Sequence, residues 1–300
     1  MVIMEKQIYT PPRIVTDRRE CVFYHEMDLP GYGHICDPTT RWDLRGRERE
    51  YLGGVEFTGK RTLDVGTASG YLSFFVESQG ARVVSLDLSE KESWDFVPYQ
   101  RFDTKQLGEL FSNRKERVRK LNNAYWLAHR VLHSNAKMVH STVYSIPEKI
   151  GPVDITMISS VLLHVRDPFL ALQSALRITK ETVIVTEPDD AAFRSAGDYG
   201  TDSKESKLEG PTMRLLPPRP DHSDLFTWWQ LTPELAQRFL KVLGFEGTKV
   251  SYHQQRRCSR ENHREAGFYT VVGRRTHGFV CSGVPSGKTK HTKRAVISID

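Results

Sequence analysis

The chain has 300 residues, 38% of them hydrophobic and 27% charged, the proportions of a soluble globular domain with sizeable additions. No apolar run approaches the ~18 residues a membrane helix needs, and the N-terminus lacks the apolar core of a secretory signal. The formal net charge is +6. Arg274 to Asp300 holds six Lys or Arg against one Asp, which leaves the rest of the chain near neutral and argues against a large phosphate-binding surface.

The four cysteines, at 21, 36, 258 and 281, form no CxxC pair. So few in so long a chain suit a reduced, cytoplasmic setting. Cys21, His25, His34 and Cys36 follow the spacing Cys-x3-His-x8-His-x-Cys, which is no familiar zinc pattern, and no metal ligand is assigned.

Residues 1–60 are rich in Pro, Gly and aromatic groups and read as an irregular N-terminal cap or lid. Regular structure begins at Arg61. Thr62-Leu63-Asp64-Val65-Gly66 is a strand running into a turn, Gly70 to Gln79 a helix stopped by Gly80, and Arg82 to Asp87 a second buried strand. Residues 88–136 form a mostly helical insertion, with Leu107, Leu110, Phe111, Val118, Leu121, Tyr125, Ala128 and Leu132 at helical steps. Ala136 to His140, Val153 to Ser159 and Glu181 to Glu187 are further strands, and Asp167 to Ile178 is a helix. Residues 188–227 are polar, proline-containing and aperiodic, a long acceptor-side loop. Thr232-Pro233-Glu234 opens a capped helix that ends at Gly244. Glu246 to Tyr252 and Phe268 to Gly273 close the fold as an antiparallel pair, and residues 276–300 read as a basic, flexible tail.

This alternation predicts an α/β class: a Rossmann-like, doubly wound, mostly parallel seven-stranded sheet with an antiparallel closing strand, spanning 61–275. Such sheets bind ligands beyond the carboxyl ends of their strands. Gly66 permits a tight reversal there, and Gly70 permits close helix packing and close approach of a ligand. Asp87, 23 residues after Asp64, can accept hydrogen bonds from both hydroxyls of a ribose. The run Gly-Thr-Ala-Ser-Gly is not the GxGxxG of dinucleotide sites. Asp64, two residues before Gly66, repels a pyrophosphate but suits a cationic sulfonium ligand.

The segment LDVGTASGYLSFFVESQGARVVSLDLS resembles motifs I and II of class I S-adenosylmethionine-dependent methyltransferases, and VDITMISSVLLHVRDPFLALQSALRITKETVIVTEP resembles motifs IV and V. Within that superfamily the Val-Leu-x-His stretch is similar to the branch that includes tRNA wobble-uridine (carboxy)methyltransferases. The resemblance covers about 61–187 well and 228–273 loosely. It implies S-adenosyl-L-methionine as cofactor, held by Asp64, Gly66, Thr67, Ala68, Gly70, Asp87, Leu88, Thr142, Val143 and Ser159, with Tyr24 and Trp42 reaching over from the cap. Two positions depart from the usual pattern: Ala68 replaces the middle glycine of motif I, and Thr142 stands where an acid often reads the adenine amino group.

A general base is needed only for a protonated acceptor. His164, after the fourth strand, is the first candidate and His25 in the cap the second. Trp228-Trp229 could stack on an acceptor. The leading expectation is O- or N-methylation of a small molecule. The alternative is modification of tRNA, to which the basic tail would contribute, and a third reading is a binding protein that retained the fold without the activity.

Overall fold

The computed structural model describes residues 8–36, 40–92, 95–97, 102–195, 206–216, 226–258 and 264–276. Most of the tail reading, 277–300, lies outside them. In chain order the elements are β1 (Met27–Leu29), β2 (Gly33–Ile35), β3 (Trp42–Asp43), α1 (Glu48–Tyr51), β4 (Arg61–Val65), α2 (Tyr71–Ser78), β5 (Arg82–Asp87), α3 (Thr104–Val131), β6 (Lys137–His140), β7 (Val153–Ser159), α4 (Pro168–Leu176), β8 (Thr179–Pro188), α5 (Asp190–Ser195), β9 (Met213–Leu215), β10 (Trp229–Leu231), α6 (Pro233–Val242), β11 (Gly247–Arg257) and β12 (Arg264–Arg274).

The main sheet runs β3-β11-β12-β8-β7-β4-β5-β6. Strands β6, β5, β4, β7 and β8 are parallel. β12 lies antiparallel against β8, and β11 antiparallel against β12. The strand order reverses direction at β4, so the crevice for a ligand opens where β4 meets β7. This is the predicted Rossmann-like sheet, with an eighth strand where seven were expected. The addition is β3, which pairs Trp42 and Asp43 with Arg257 and Arg256. Two residues carry no periodicity, so the cap's contribution was invisible in sequence.

Central strands read as unbroken apolar runs because helices cover both faces. Val153, Ile155, Met157 and Ile158 of β7 and Val183, Ile184 and Val185 of β8 are almost wholly buried. Each such side chain contributes roughly 1.5–3 kcal/mol relative to exposure. Helix starts follow local chemistry. Asp103 and Gln106 form a reciprocal capping box at α3, Asp167 caps α4 ahead of Pro168, and Thr232 caps α6 ahead of Pro233. The C-terminal half of α3, from Asn122 to Ala128, is buried, whereas Leu132 at the end of the predicted apolar stripe is 38% exposed.

Three segments differ from expectation. The 1–60 cap is folded: β1 and β2 form a hairpin, and α1 packs on the β11–β12 pair. The 188–227 stretch contains α5, whose first turn is capped by Asp189, and β9, which pairs with β10. Strands β11 and β12 run 11 residues each, past the predicted ends. The polar extension His253-Gln254-Gln255-Arg256-Arg257 reads as loop, but its buried side chains are hydrogen-bonded along β11 and across to β12. Gln255 Nε2 meets His253 Nδ1 at 2.9 Å, and His253 Nε2 meets Thr270 Oγ1 at 2.9 Å.

Glu187 fixes the turn after β7. Its Oε1 accepts from the amides of Val161 (3.1 Å) and Leu162 (2.7 Å), while Oε2 is buried without a partner. Burial pushes its pKa up to about 8, against the pull of those amides. The unfolded value is ~4.3, so folding favours the protonated form. That stabilisation is complete below pH ~4 and is lost as pH rises through about 8. Urea unfolding between pH 6 and 9 should therefore show a loss of about 1–3 kcal/mol that Glu187→Gln largely removes, since the amide keeps the Oε1 acceptor and cannot ionise. Parallel pH profiles for the two proteins would exclude this role.

Candidate active site

A cavity of about 730 Å³ opens beyond the carboxyl ends of β4, β5 and β7. It is within the size range of small-molecule sites. Its floor is the β4–α2 turn: Asp64, Gly66, Thr67 and Ala68 all line it, as do Asp87 and Leu88 from the end of β5. Gly66 has φ +81°, and a Cβ there would lie 2.6 Å from Val161 Cγ2. Gly70 does not line the cavity. A Cβ on it would lie 2.4 Å from the Phe74 ring and 2.8 Å from Tyr125, so of its two expected roles this glycine serves helix packing. Ala68 has φ +51°, a left-handed conformation that explains why glycine suits this position.

Asp87 is held by two short amide bonds. Ala68 N donates to Oδ2 at 2.6 Å and Leu88 N to Oδ1 at 2.7 Å. Burial raises its pKa despite these donors. Asp64 is oriented by a buried chain of hydroxyls. Tyr125 Oη donates to Ser85 Oγ (3.0 Å), Ser85 and Ser73 are 2.7 Å apart, and Ser73 Oγ donates to Asp64 Oδ2 at 2.7 Å. Ser73 has one proton, and Asp64 takes it, so the chain must run in that direction. Burial pushes the Asp64 pKa up to about 6, with Ser73 and Thr67 opposing. Ser73 and Ser85 look like ordinary helix and strand residues in sequence, and Tyr125, read there as part of the apolar stripe, gives no sign of its hydroxyl's role.

The cap forms a wall. Tyr24 N donates to Ser69 Oγ at 3.1 Å, which binds the N-terminal segment to the turn. Trp42 Nε1 donates to Tyr24 Oη at 3.3 Å, and the Trp42 ring packs edge-on against Phe268. Tyr24, His25 and Trp42 all line the cavity. Burial disfavours the charged form of His25 and lowers its pKa to about 3. Its Nδ1 is buried without a partner, which suits contact with a ligand.

On the far side, Thr142, Val143, Ser159 and His164 line the cavity. Thr142 Oγ1 faces Ser145 Oγ at 2.9 Å, and Ser159 Oγ is buried without a partner. His164 Nδ1 lies 2.8 Å from the Phe226 carbonyl, so it carries the proton and the neutral ring's lone pair falls on Nε2. Trp228 and Trp229 do not line the cavity. They stack on each other, and Trp229 Nε1 donates to the Val165 carbonyl at 3.0 Å, so the pair secures the loop that carries His164. The cavity also receives Tyr51 and Ser160, and the guanidinium side chains Arg41, Arg114, Arg117 and Arg257. Arg114 and Arg117 reach the cavity from α3, a placement set by tertiary packing.

No family model matches the chain, and no curated protein matches it. Among solved structures, it is similar to the N-terminal domain of EvdMO1 in the presence of SAH and D-fucose, at 17% identity over 76% of this chain and 79% of that one, with a TM-score of 0.43. It is also similar to a SAM-dependent methyltransferase from Methanosarcina mazei, at 14% identity over 78% and 98% of the two chains, TM-score 0.45. A third is magnesium protoporphyrin IX methyltransferase from Synechocystis PCC 6803 with bound SAH, at 14% identity over 73% and 75%, TM-score 0.41.

Proposed function

We propose that this chain is a class I S-adenosylmethionine-dependent methyltransferase acting on a small-molecule acceptor. The observation that carries this reading is the convergence of Asp64, Gly66, Ala68 and Asp87 on one cavity closed by Tyr24, His25 and Trp42. The fit to the cofactor is supported by the buried, unpartnered Ser159 Oγ and His25 Nδ1, both on residues that line the cavity. When bound, S-adenosylmethionine supplies an electrophilic methyl group on a sulfonium.

The chain's own residues bind and orient. Asp87 is placed to accept from ribose hydroxyls, its carboxylate already fixed by Ala68 and Leu88. Asp64 sets a negative potential under the cationic end of the cofactor. Val143 and Thr142 offer the adenine edge a backbone amide and a hydroxyl. His164, with Nδ1 committed to Phe226, presents Nε2 as the atom able to take a proton from an acceptor hydroxyl. Arg41, Arg114, Arg117 and Arg257 suit an acceptor carrying a carboxylate or phosphate. A small acceptor could enter this cavity whole, whereas a tRNA would have to present a flipped-out base.

The direct test is transfer of a labelled methyl group from S-adenosylmethionine, assayed in parallel against a small-metabolite extract and total tRNA. Label in the metabolite fraction is expected. Label in tRNA alone would establish the second reading, and no S-adenosylhomocysteine binding by calorimetry would overturn both. Asp87→Asn should weaken S-adenosylhomocysteine binding about tenfold or more by removing charge-assisted bonds. The Asp64 carboxylate forms as pH rises through about 6. Affinity for the cationic S-adenosylmethionine should therefore increase between pH 5 and 7, and Asp64→Asn should flatten that rise. His164→Ala should slow turnover ~100-fold with little change in cofactor affinity; a near-normal rate would leave it a pocket residue.

A further inference from the structure

Away from the cavity, the β1–β2 hairpin carries a second concentration of chemistry. Its antiparallel register pairs Asp28 with His34 and Met27 with Ile35. Strand alternation then puts Glu26, Asp28, His34 and Cys36 on one face. Cys258, just past β11, is brought to the same place because its amide donates to the Arg41 carbonyl at 2.9 Å. Its Sγ lies 3.1 Å from Glu26 Oε1. His34 Nε2 lies 3.1 Å from Glu26 Oε2, and the ligand atoms of Glu26, His34 and Cys36 are all within 4.8 Å of one another.

We propose that Glu26, His34, Cys36 and Cys258 form a binding site for a divalent transition ion of the zinc type. Four features support it. Two sulfurs, one imidazole nitrogen and one carboxylate oxygen are a zinc donor set, and bonds of ~2.0–2.3 Å to a central ion put ligand atoms about 3.3–3.8 Å apart in a tetrahedron. Glu26, His34 and Cys36 already form a close group; Cys258 adjoins it through Glu26 and must move its Sγ toward the other two to complete the tetrahedron. The Glu26 side chain is 1% exposed and its Oε2 is paired with Arg45 Nη2 at 2.8 Å, so its carboxylate is held ionised at the centre of the cluster.

The surroundings also match. His34 Nδ1 lies 3.0 Å from Asp28 Oδ1, the carboxylate contact that orients metal-binding imidazoles. Arg45 bridges Glu26 Oε2 (2.8 Å), Asp28 Oδ2 (2.9 Å) and Asp43 Oδ1 (2.8 Å), with Nη1 also 3.0 Å from His34 Nδ1. Arg256 holds the other Asp43 oxygen at 2.9 Å. Three carboxylates therefore face two guanidiniums, and the cluster stays net negative before either thiol ionises. Binding releases one proton from each thiol to solvent as its sulfur–metal bond forms. The ion would join the hairpin to the end of β11, one residue from His25 in the cavity wall.

Cobalt(II) titration of the reduced full-length chain tests the site. One equivalent should bind, with thiolate-to-cobalt charge-transfer absorption and the strong visible bands of tetrahedral cobalt. Cys36→Ser and Cys258→Ser should each weaken binding at least tenfold and reduce the charge-transfer intensity, and Asp28→Asn should weaken it about tenfold. Cys36 is exposed, so its replacement should leave unfolding unchanged and separate ligand loss from misfolding. Cys21→Ser and Cys281→Ser should leave the spectrum intact. Absence of charge-transfer bands in the wild-type chain, or bands that survive in Cys36→Ser/Cys258→Ser, would overturn the proposal.

Discussion

The short hydrogen bond from the Ala68 amide to Asp87 is the contact on which the site depends. It ties the end of β5 to the turn that follows β4, across two strands that are already in parallel register. The turn can make it only with Ala68 in the left-handed region and Gly66 free of a side chain beneath Val161. The carboxylate is thereby fixed at the mouth of the crevice in a single orientation. A ligand then meets a preorganised acceptor rather than one that must be ordered on binding.

Behind that contact lies a polar interior that helix packing would ordinarily exclude. Asp64 is almost wholly buried, yet its nearest donor is a serine hydroxyl in a chain that reaches back to Tyr125 on α3. Without those hydroxyls a buried carboxyl would cost several kcal/mol. With them its pKa stays near 6 and the charged form remains accessible at neutral pH. Glu187, holding the β7 loop, lies further from solvent and is driven higher. The two carboxyls thus serve different ends: one stays near its charged form at the cavity, the other is a structural clasp under the loop that leads to His164.

The N-terminal segment is part of the site rather than an appendage. It contributes β3 to the sheet edge, a hairpin whose apolar side chains pack with those of α2 and α3, and three side chains to the cavity wall. Its attachment is spread over small contacts, among them Tyr24 to Ser69 and Arg47 to Glu265. Such contacts are individually weak, and together they set where Tyr24, His25 and Trp42 stand relative to Asp87.

Sequence by itself determined the main sheet, the start of α6 at Thr232-Pro233 and the glycine turn after β4. These rest on local rules: apolar runs of strand length, a Thr-Pro helix start, and glycine where a side chain cannot fit. The same rules placed Asp64, Asp87, Thr142, Ser159 and His164 at one edge, because a parallel sheet aligns the ends of its strands. Tertiary structure alone decided the rest. β3, β9 and the far ends of β11 and β12 have no period to read, and they exist because partners from distant segments complete their hydrogen bonds. Arg117 lines the cavity because of where α3 packs. Trp228 and Trp229 become packing for the His164 loop. Cys258 meets Glu26 across 232 residues of chain, a proximity that no spacing rule encodes.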